Sequence, residues 1–454
     1  MRPGTRPSRN ESRPPARPRP APDQPRRLAY DVLHQVGAAD AFANIELQRV
    51  LVGQAQRDAA FITELVNGVL RNRRAIDAVL QRCVDRPLVK LDPRVLDVLR
   101  LGAYQWLFLH TAEHACVSTS VDLVADIAGP APRSLVNAVL RRVVARDGAH
   151  WLGELNDPGE RWSQPQWIID AFTDALGPSR TAELSALLEI NNEPPAVTLV
   201  ARPGLCEVEE LLDAGGTVSR WDGLAVTAPA GKVNAIRAVR EGRAGVQDEG
   251  SQLVAQAFAA ASISGPDRHW VDLCAGPGGK SALLAAIGAQ RGASVLAVDR
   301  HLHKAKLVRA NLKATAGNAW AVVADGRAVP TREADRVLVD APCTGLGVLR
   351  RRPEIRWRRR PADVGELSRL QTELLRSAVS MTRSGGVVGY VTCSPHIAET
   401  DLVVAAVMRD GDAEWIDARE LLPDVPDLGP GPSVRLWPQL HGTDGMYLAL
   451  LRRH

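Results

Sequence analysis

The sequence predicts a multidomain protein with an all-helical N-terminal domain, a small α+β unit and a C-terminal α/β domain. Its 454 residues suffice for two to four domains of roughly 100 to 200 residues each. Apolar residues recur at spacings of three and four in the first third of the chain, and strand-like runs alternate with helical stretches from about Gly242 onward. We therefore expect a tail at 1–27, a helical domain at 28–150, a linker and small α+β subdomain at 151–240, and an α/β domain at 241–454.

The N-terminal tail is basic and poor in apolar residues. Residues 1–27 hold eight Pro and eight Arg, so we expect a flexible segment. Both a solvated tail and a loose, salt-sensitive attachment to RNA fit that composition. Elsewhere, six scattered cysteines without a CxxC pair favour reduced thiols. No apolar run approaches the roughly 20 residues that span a bilayer, so we expect a cytoplasmic protein without a membrane partner, and a monomer.

The helical domain shows clear breaks between its periodic stretches. Arg86-Pro87, Asp92-Pro93 and Gly129-Pro130 separate the helices, and Ser118 or Ser120 is a candidate cap for a helix beginning near Val121. Its arginines either face RNA phosphates or form solvated surfaces; they are Arg71, Arg73, Arg74, Arg141 and Arg142. His110 and His114 are spaced as metal ligands on a helix would be, but no third ligand is apparent, so we expect no metal.

The α/β domain is predicted to be a doubly wound parallel sheet. Its ligands would then bind at the carboxyl ends of the strands. The strand-like runs are 270–273, 294–298, 320–323, 336–339 and 387–391. In the preceding unit, 197–200 and 224–226 are strand-like and 208–212 is helix-like.

A glycine-rich turn follows the first of these strands. The run VDLCAGPGGKS at 271–281 lets the backbone approach a ligand closely. A dinucleotide fingerprint would need glycine at 281, and a phosphate-cradling loop would need glycine at 274, so both are near misses. We expect this turn to bind a cofactor through Cys274, Ala275, Gly276, Pro277, Gly278, Gly279 and Lys280.

Two aspartates after later strands complete the predicted cofactor site. Asp299 closes the second strand, where a carboxylate can accept both hydroxyls of a ribose. A ribose-bearing ligand without a pyrophosphate fits best, and S-adenosyl-L-methionine is the common one. Asp325 would approach the adenine, or it forms an Asp-Gly turn.

Two cysteines stand at the ends of the fourth and fifth strands. Cys343 lies in VDAPCTGLG, and Cys393 lies in VTCSP. An isolated buried cysteine is usually an inert small hydrophobe. Two thiols at equivalent strand ends, one of them directly after Asp-Ala-Pro, favour a chemical role instead.

These motifs carry a family resemblance that spans about residues 28–454. DAPCTGLGVLRRRPEIRW, VTCSP and CAGPGGK resemble the RNA cytosine-C5 methyltransferases, whose catalytic domain is Rossmann-like and S-adenosylmethionine-dependent. The helical domain, with SLVNAVLRR, resembles the NusB-like RNA-binding domain. The combination is similar to the bacterial RsmB/Sun (Fmu) type, which modifies 16S (small-subunit) ribosomal RNA. The segment 160–240 is similar to the small RNA-binding subdomain of that family.

The resemblance implies transfer of a methyl group to carbon 5 of a cytosine through a covalent cysteine–cytosine adduct. It makes Cys393 the nucleophile, gives Cys343 a part in release, and places Asp340 against the cytosine edge and in the cofactor site. From sequence alone the two thiols cannot be ranked, so the reverse assignment stays open. The target base must also leave its stack.

The arginine-rich run at 350–360 follows Cys343. Its seven arginines cannot all pair with Glu354 and would be costly to bury, so we expect them to line an RNA groove. The candidate RNA contacts are Arg350, Arg351, Arg352, Arg356 and Arg358. A merely solvated charge run is the alternative.

Two functions from other classes compete with methyl transfer. A nonenzymatic RNA-binding or antitermination-type module would need no thiol, which Cys343 and Cys393 argue against. A phosphate-loop nucleotidase would use GGKS, with Asp340 holding magnesium, but it leaves Asp299 and both cysteines without a role.

Overall fold

The computed structural model describes residues 23–38, 41–231, 233–329, 331 and 333–454. Most of the predicted tail therefore lies outside the described residues. Its last part is wrong as a tail, because a helix already begins at Gln24. Arg26 and Arg27 are anchored in that helix, where Arg26 donates to Gln105 Oε1 at 2.7 Å and Arg27 pairs with Asp31.

In its described residues, the N-terminal domain is a bundle of seven α-helices, as the three-and-four periodicity predicts. Its core is built from the apolar positions of that period, among them Leu65, Val69, Ile76 and Leu99, each at most 2% exposed. Asp92 accepts from Arg94 N and begins the fifth helix. The helices are Gln24–Ala38, Ala43–Leu51, Gln56–Arg71, Arg73–Cys83, Pro93–Leu107, Glu113–Ala128 and Arg133–Val144.

The predicted serine cap is wrong. The sixth helix begins at Glu113, so Ser118 and Ser120 lie inside it. Their hydroxyls donate to the carbonyls of His114 and Cys116 one turn earlier. Such a bond satisfies a serine within a helix, so a serine in an apolar context did not mark a helix start.

The segment between the bundle and the sheets is more helical than predicted. Ile168, Phe172 and Leu188 pack with Leu346 and Ile355 of the C-terminal domain. Its α-helices are Gly148–Gly153, Pro158–Arg161, Gln166–Leu176 and Leu184–Ile190, with a 3-10 helix at Pro178–Glu183.

The small α+β unit is a four-stranded antiparallel sheet in the order β2-β3-β1-β4. The predicted pieces at 197–200, 208–212 and 224–226 are present within one residue. The boundary at 240 is wrong, because the last strand lies beyond it. The elements are β1 Thr198–Ala201, β2 Thr217–Val218, β3 Ala225–Thr227 and β4 Ala244–Val246, with helices Val208–Asp213 and Arg237–Glu241.

The C-terminal domain is built on an eight-stranded sheet. All five predicted strands are present, and they form a parallel core in the order β9-β8-β5-β6-β7. Three further strands extend it through antiparallel pairs, so the sheet is mixed and not purely parallel as predicted. The strands are β5 His269–Asp272, β6 Ser294–Asp299, β7 Ala319–Val323, β8 Ala334–Asp340, β9 Thr382–Thr392, β10 Ala413–Ile416, β11 Val434–Leu436 and β12 Met446–Arg453.

Helices lie between consecutive parallel strands except between β7 and β8, where the described residues form no helix. The chain runs from the central β5 outward through β6 and β7, then returns to β8 on the other side, so the strand order reverses between β5 and β8. Ligands of such sheets bind at this reversal, beyond the carboxyl ends of the strands. The main helices are Glu249–Ala260, Gly279–Gln290, Leu302–Asn311, Pro361–Met381 and Asp401–Met408, with short ones at Ile355–Arg358 and Pro438–His441.

Candidate active site

The carboxyl edge of the parallel sheet carries the predicted site residues. Cys274 follows β5, Asp299 ends β6, Asp325 follows β7, Asp340 ends β8 and Cys393 follows β9. Parallel strands bring these positions to one edge, although they are up to 119 residues apart in the sequence.

The two strand-end thiols are in contact. The Sγ atoms of Cys343 and Cys393 lie 3.4 Å apart, within hydrogen-bonding distance for sulfur. The loop after β8 is pinned by Gly347, whose N–H donates to the carbonyl of Cys393 at 2.8 Å. A Cβ at Gly347 would lie 2.0 Å from the carbonyl oxygen of Gly445, so only glycine permits this approach.

The surroundings of the two thiols differ in charge. The hydrogen bond from the Cys343 thiol lowers the pKa of Cys393, and the positive charges of Lys280 and Arg352 act in the same direction. The same bond raises the pKa of Cys343 well above its usual range, and burial and the negative charge of Glu399 raise it further. Cys393 is therefore the better thiolate of the pair.

Lys280 and Asp340 form a partly buried ion pair near the thiols. Their Nζ and Oδ2 atoms lie 2.9 Å apart, and the lysine side chain is 10% exposed. The phosphate-loop alternative needs this lysine on a phosphate and this aspartate on magnesium, but each is the other's partner. In the part of the chain that the structure describes, no group of three or more His, Cys, Asp or Glu is arranged to hold a metal ion.

The glycine-rich turn from Cys274 to Gly279 joins β5 to the next helix and is fixed in place by Asp272. Burial raises the pKa of Asp272, at the end of β5, to about 7. Its carboxyl accepts from Ser281 Oγ at 2.6 Å and thereby fixes the start of the helix Gly279–Gln290 to the strand.

The turn also approaches the carboxylate of Asp299. Gly276 N donates to Asp299 Oδ2 at 3.1 Å, and His301 N donates to Oδ1 at 2.8 Å. A Cβ at Gly276 would lie 2.5 Å from that Oδ2, so glycine permits this contact. Each carboxylate oxygen retains a further lone pair for a ligand hydroxyl.

Asp325 is engaged by its own turn. Its Oδ1 accepts from Arg327 N at 3.0 Å, and the hydrogen bonds from Arg327 lower the pKa of Asp325 to about 2. This geometry favours the turn-forming alternative; the adenine contact stays a prediction.

The arginine-rich run does not lie as predicted. Arg350 is 7% exposed and Arg356 is 1% exposed, so neither lines an open groove. Arg350 donates to the carbonyl of Gly442, and Arg356 donates to those of Arg71 and Asn191. Burial is tolerated because backbone carbonyls from distant segments take up the N–H groups.

Two more of these arginines have structural partners. Arg351 joins Asp248 at 2.7 Å to Asp444 at 3.0 Å. Arg358 lies over the ring of Phe42, 3.9 Å from its centroid. Among the five candidates, Arg352 alone is exposed. Arg350 and Arg351 therefore hold the loop after β8 within the C-terminal domain, whereas Arg356 and Arg358 join it to the helical bundle.

Comparison with known proteins places the chain in a family. Residues 263–452 match the family model for 16S rRNA methyltransferase RsmB/F, and residues 23–145 match the NusB family. Ribosomal RNA small subunit methyltransferase B of Escherichia coli is 32% identical over 374 residues, which cover 79% of this chain and 84% of that protein. The chain belongs to the RsmB/F family of 16S rRNA methyltransferases.

Further relatives extend the match over nearly the whole chain. A Mycobacterium tuberculosis protein, whose name describes it as a methyltransferase, is 48% identical over 445 residues, covering 95% of this chain and 97% of that protein. A solved chain described as PH0851 superposes with a TM-score of 0.76 at 23% identity, covering 94% of this chain and 99% of that one. The PH0851 chain therefore has the same fold as this protein. No helix among the described residues is long and apolar enough to cross a membrane.

Glu399 is a site residue that the sequence did not reveal. It is fully buried, and its Oε1 accepts from Thr344 N at 2.8 Å and from Gln371 Nε2 at 3.1 Å. Its Oε2 accepts from Ser394 Oγ at 2.7 Å and from the Thr344 hydroxyl. Because Thr344 follows Cys343 and Ser394 follows Cys393, this one carboxylate ties the two cysteine loops together.

Replacing Glu399 by alanine is expected to destabilise the protein and separate the thiols. A buried donor left without its acceptor costs about 1–3 kcal/mol, and Thr344 N, Ser394 Oγ and Gln371 Nε2 all lose one, so we expect the free energy of unfolding to fall by about 3 kcal/mol. Urea denaturation measures it. Glu366→Ala, at an exposed position, is the control, and equal stability of both variants would contradict the role of Glu399.

Proposed function

We propose that this protein transfers a methyl group from S-adenosyl-L-methionine to carbon 5 of a cytosine in small-subunit ribosomal RNA, through a covalent adduct on Cys393. The observation that carries the proposal is the pair of touching thiols beside the Lys280–Asp340 ion pair. Membership of the family supports ribosomal RNA as the substrate. Neither a pure binding module nor a nucleotidase needs two thiols in contact.

The cysteines account for the chemistry that carbon 5 requires. Carbon 5 of cytosine is a poor nucleophile until a thiolate adds to carbon 6. Cys393, with its lowered pKa, forms the bond to carbon 6, and the electron pair of the 5,6 double bond becomes available at carbon 5. Asp340 contacts the cytosine edge and supports the protonated ring nitrogen during addition. Once carbon 5 has taken the sulfonium methyl group, which leaves S-adenosyl-L-homocysteine, Cys343 assists loss of the carbon 5 proton. The electron pair of that C–H bond re-forms the 5,6 double bond, and the bond between Cys393 and carbon 6 breaks with its pair returning to sulfur.

The cofactor site fits the residues that are present. S-adenosyl-L-methionine supplies an electrophilic methyl group on its sulfonium. Asp299 presents carboxylate oxygens to ribose hydroxyls at the end of β6. The glycine-rich turn lies against that carboxylate through Gly276 N, and Lys280, the residue after the turn, pairs with Asp340 at 2.9 Å. Arg352, exposed beside Cys393, is our remaining candidate for an RNA phosphate contact from the arginine-rich run.

Purified protein and transcribed 16S ribosomal RNA test the proposal. With S-adenosyl-L-methionine carrying a labelled methyl group, we expect label in the RNA and 5-methylcytidine among its nucleosides after digestion. Bisulfite mapping then gives the position. Label in another nucleoside, or in no RNA, would refute the proposal.

Asp299→Asn is expected to weaken cofactor binding. A hydrogen bond to a charged group is worth about 1.5–3 kcal/mol, which corresponds to roughly tenfold or more in affinity. Isothermal titration with S-adenosyl-L-methionine measures the change. Asp424→Asn, at an exposed position, is the matched control. Unchanged affinity in Asp299→Asn would remove Asp299 from the site.

The pH dependence of adduct formation should report the Cys393 thiolate. Because its pKa is lowered, the rate is expected to rise with pH and to level off below the pH at which an ordinary thiol ionises. Lys280→Met removes a nearby positive charge, so we expect the rise to move to higher pH. Single-turnover rates across pH measure it, with Lys90→Met as a distant, exposed control. If the Lys280→Met variant had the same dependence of rate on pH as the wild type, the result would contradict this account.

A further inference from the structure

The basic surfaces that the sequence singled out are largely neutralised in the structure. In the helical bundle, Arg133 pairs with Asp122, and Arg142 pairs with Asp85. Arg71 is buried. The arginine-rich run mostly holds domains together. These contacts leave open which surface meets the phosphates of a long RNA.

A different segment carries unneutralised positive charge. Residues 300–324 contain five lysines and arginines and no aspartate or glutamate. Three of the six lysines of the whole chain fall within ten residues here. We name this set the basic face; its members are Arg300, Lys304, Lys306, Arg309 and Lys313.

The basic face is exposed and has no ion-pair partner within 4 Å among the described residues. Arg300, Lys306, Arg309 and Lys313 are exposed, and Lys304 is half-buried. Spacings of three and four place Lys306, Arg309 and Lys313 on one side of the helix Leu302–Asn311 and its 3-10 extension. Their ammonium and guanidinium groups are therefore free to meet anions together.

One member of the basic face, Lys304, borders the candidate active site. Its helix begins at Leu302, three residues after Asp299, and His301 N donates to the Asp299 carboxylate at 2.8 Å. A Cβ at Gly276 would lie 2.8 Å from Lys304 Cβ, so the lysine stem lies against the glycine-rich turn. Asn311 of the same helix donates to the carbonyl of Pro277 in the turn at 3.0 Å. Lys306, Arg309 and Lys313 lie on the opposite side of this helix, so a polyanion on them would lie outside the crevice.

We propose that the basic face binds the phosphate backbone of the RNA substrate outside the crevice, on the side of the helix Leu302–Asn311 that faces away from the glycine-rich turn. The inference rests on the proposed function and names where the substrate backbone lies. Lysine suits this role because its ammonium is a mobile point charge that needs no fixed acceptor geometry. Such contacts position a substrate without reading its sequence.

The test compares two triple variants that lose the same charge. Lys306→Ala, Arg309→Ala and Lys313→Ala together remove the basic face. Arg376→Ala, Arg419→Ala and Arg453→Ala remove three arginines of the C-terminal domain that are already paired with carboxylates. Filter binding of transcribed 16S ribosomal RNA is measured at salt concentrations from about 50 to 200 mM.

We expect the slope of log affinity against log salt to fall by about 0.7 to 0.9 per lost contact, hence by roughly 2 to 3 in the first triple variant. The control triple should keep the wild-type slope, and titrated affinity for S-adenosyl-L-methionine should be equal in all three proteins. Equal slopes in the two triple variants would overturn the proposal.

Two further measurements separate the possible failures. Methylation of the same RNA by the wild-type protein is followed in parallel. If the wild-type protein methylates the RNA and the two triple variants have equal salt slopes, only the proposal for the basic face is refuted. If the wild-type protein does not methylate the RNA but the first triple variant has a reduced salt slope, only the proposed function is refuted.

Leu302 and Leu307 are 60% and 51% exposed on the same helix. Vesicles of phosphatidylglycerol are therefore included, and loss of vesicle binding with an unchanged RNA slope would overturn the RNA assignment.

Discussion

Cys393→Ala is expected to abolish methylation of ribosomal RNA. Without this thiol no bond to carbon 6 can form, and carbon 5 stays unreactive. Loss of a covalent nucleophile in other enzymes lowers the rate by a factor on the order of 10⁴ or more. Transfer of labelled methyl groups measures the loss, and denaturing electrophoresis should show no protein–RNA adduct.

Cys343 cannot replace the missing thiol in that variant. Its surroundings, burial and the charge of Glu399, oppose its ionisation. Cys393→Ser keeps the side-chain volume and serves as a second variant. Unchanged titration with S-adenosyl-L-methionine shows that both variants fold. Substantial methylation by either variant would contradict the assignment of Cys393.

The Cys343→Ala variant is expected to fail at a later step, the release of the methylated RNA from Cys393. Cys393 can still attack and the methyl group can still transfer, but the thiol 3.4 Å away that assists release is gone. A protein–RNA adduct that survives denaturing electrophoresis should therefore accumulate. The variant also loses the hydrogen bond that lowers the pKa of Cys393, so the adduct should form more slowly near neutral pH than in the wild type.

The double variant checks the order of the two steps. Because attack precedes release, replacing both cysteines should remove the adduct seen with Cys343→Ala. A stable adduct from Cys393→Ala, with none from Cys343→Ala, would reverse the two roles.

The sequence was informative wherever the signal is local. The strands ending at Asp299 and Asp340 could be predicted because each is a short apolar run before a polar residue. The parallel arrangement then placed Cys343 and Cys393 at one edge. Their contact at 3.4 Å could not be predicted, because it depends on two loops that are 50 residues apart.

The failures share one cause, which is pairing over long sequence distances. Arg356 looked like a phosphate contact because burying an arginine is costly, but its acceptors are carbonyls of Arg71 and Asn191. The sequence did not distinguish Glu399 from other glutamates, because its hydrogen-bond partner Thr344 precedes it by 55 residues. The antiparallel pairing of β12 with β9 likewise has no local sequence signal.

The most direct measurement identifies the residue that bonds to RNA. A substrate RNA carrying 5-fluorocytidine has no proton at carbon 5 to lose, so the wild-type protein should remain attached to it. Trypsin and nuclease digestion separates the two thiols, since Cys393 falls in the peptide 384–409 and Cys343 in the peptide 337–350. We expect mass spectrometry to find the modified pyrimidine on the peptide 384–409. A pyrimidine on the peptide 337–350, or no covalent attachment at all, would contradict the account.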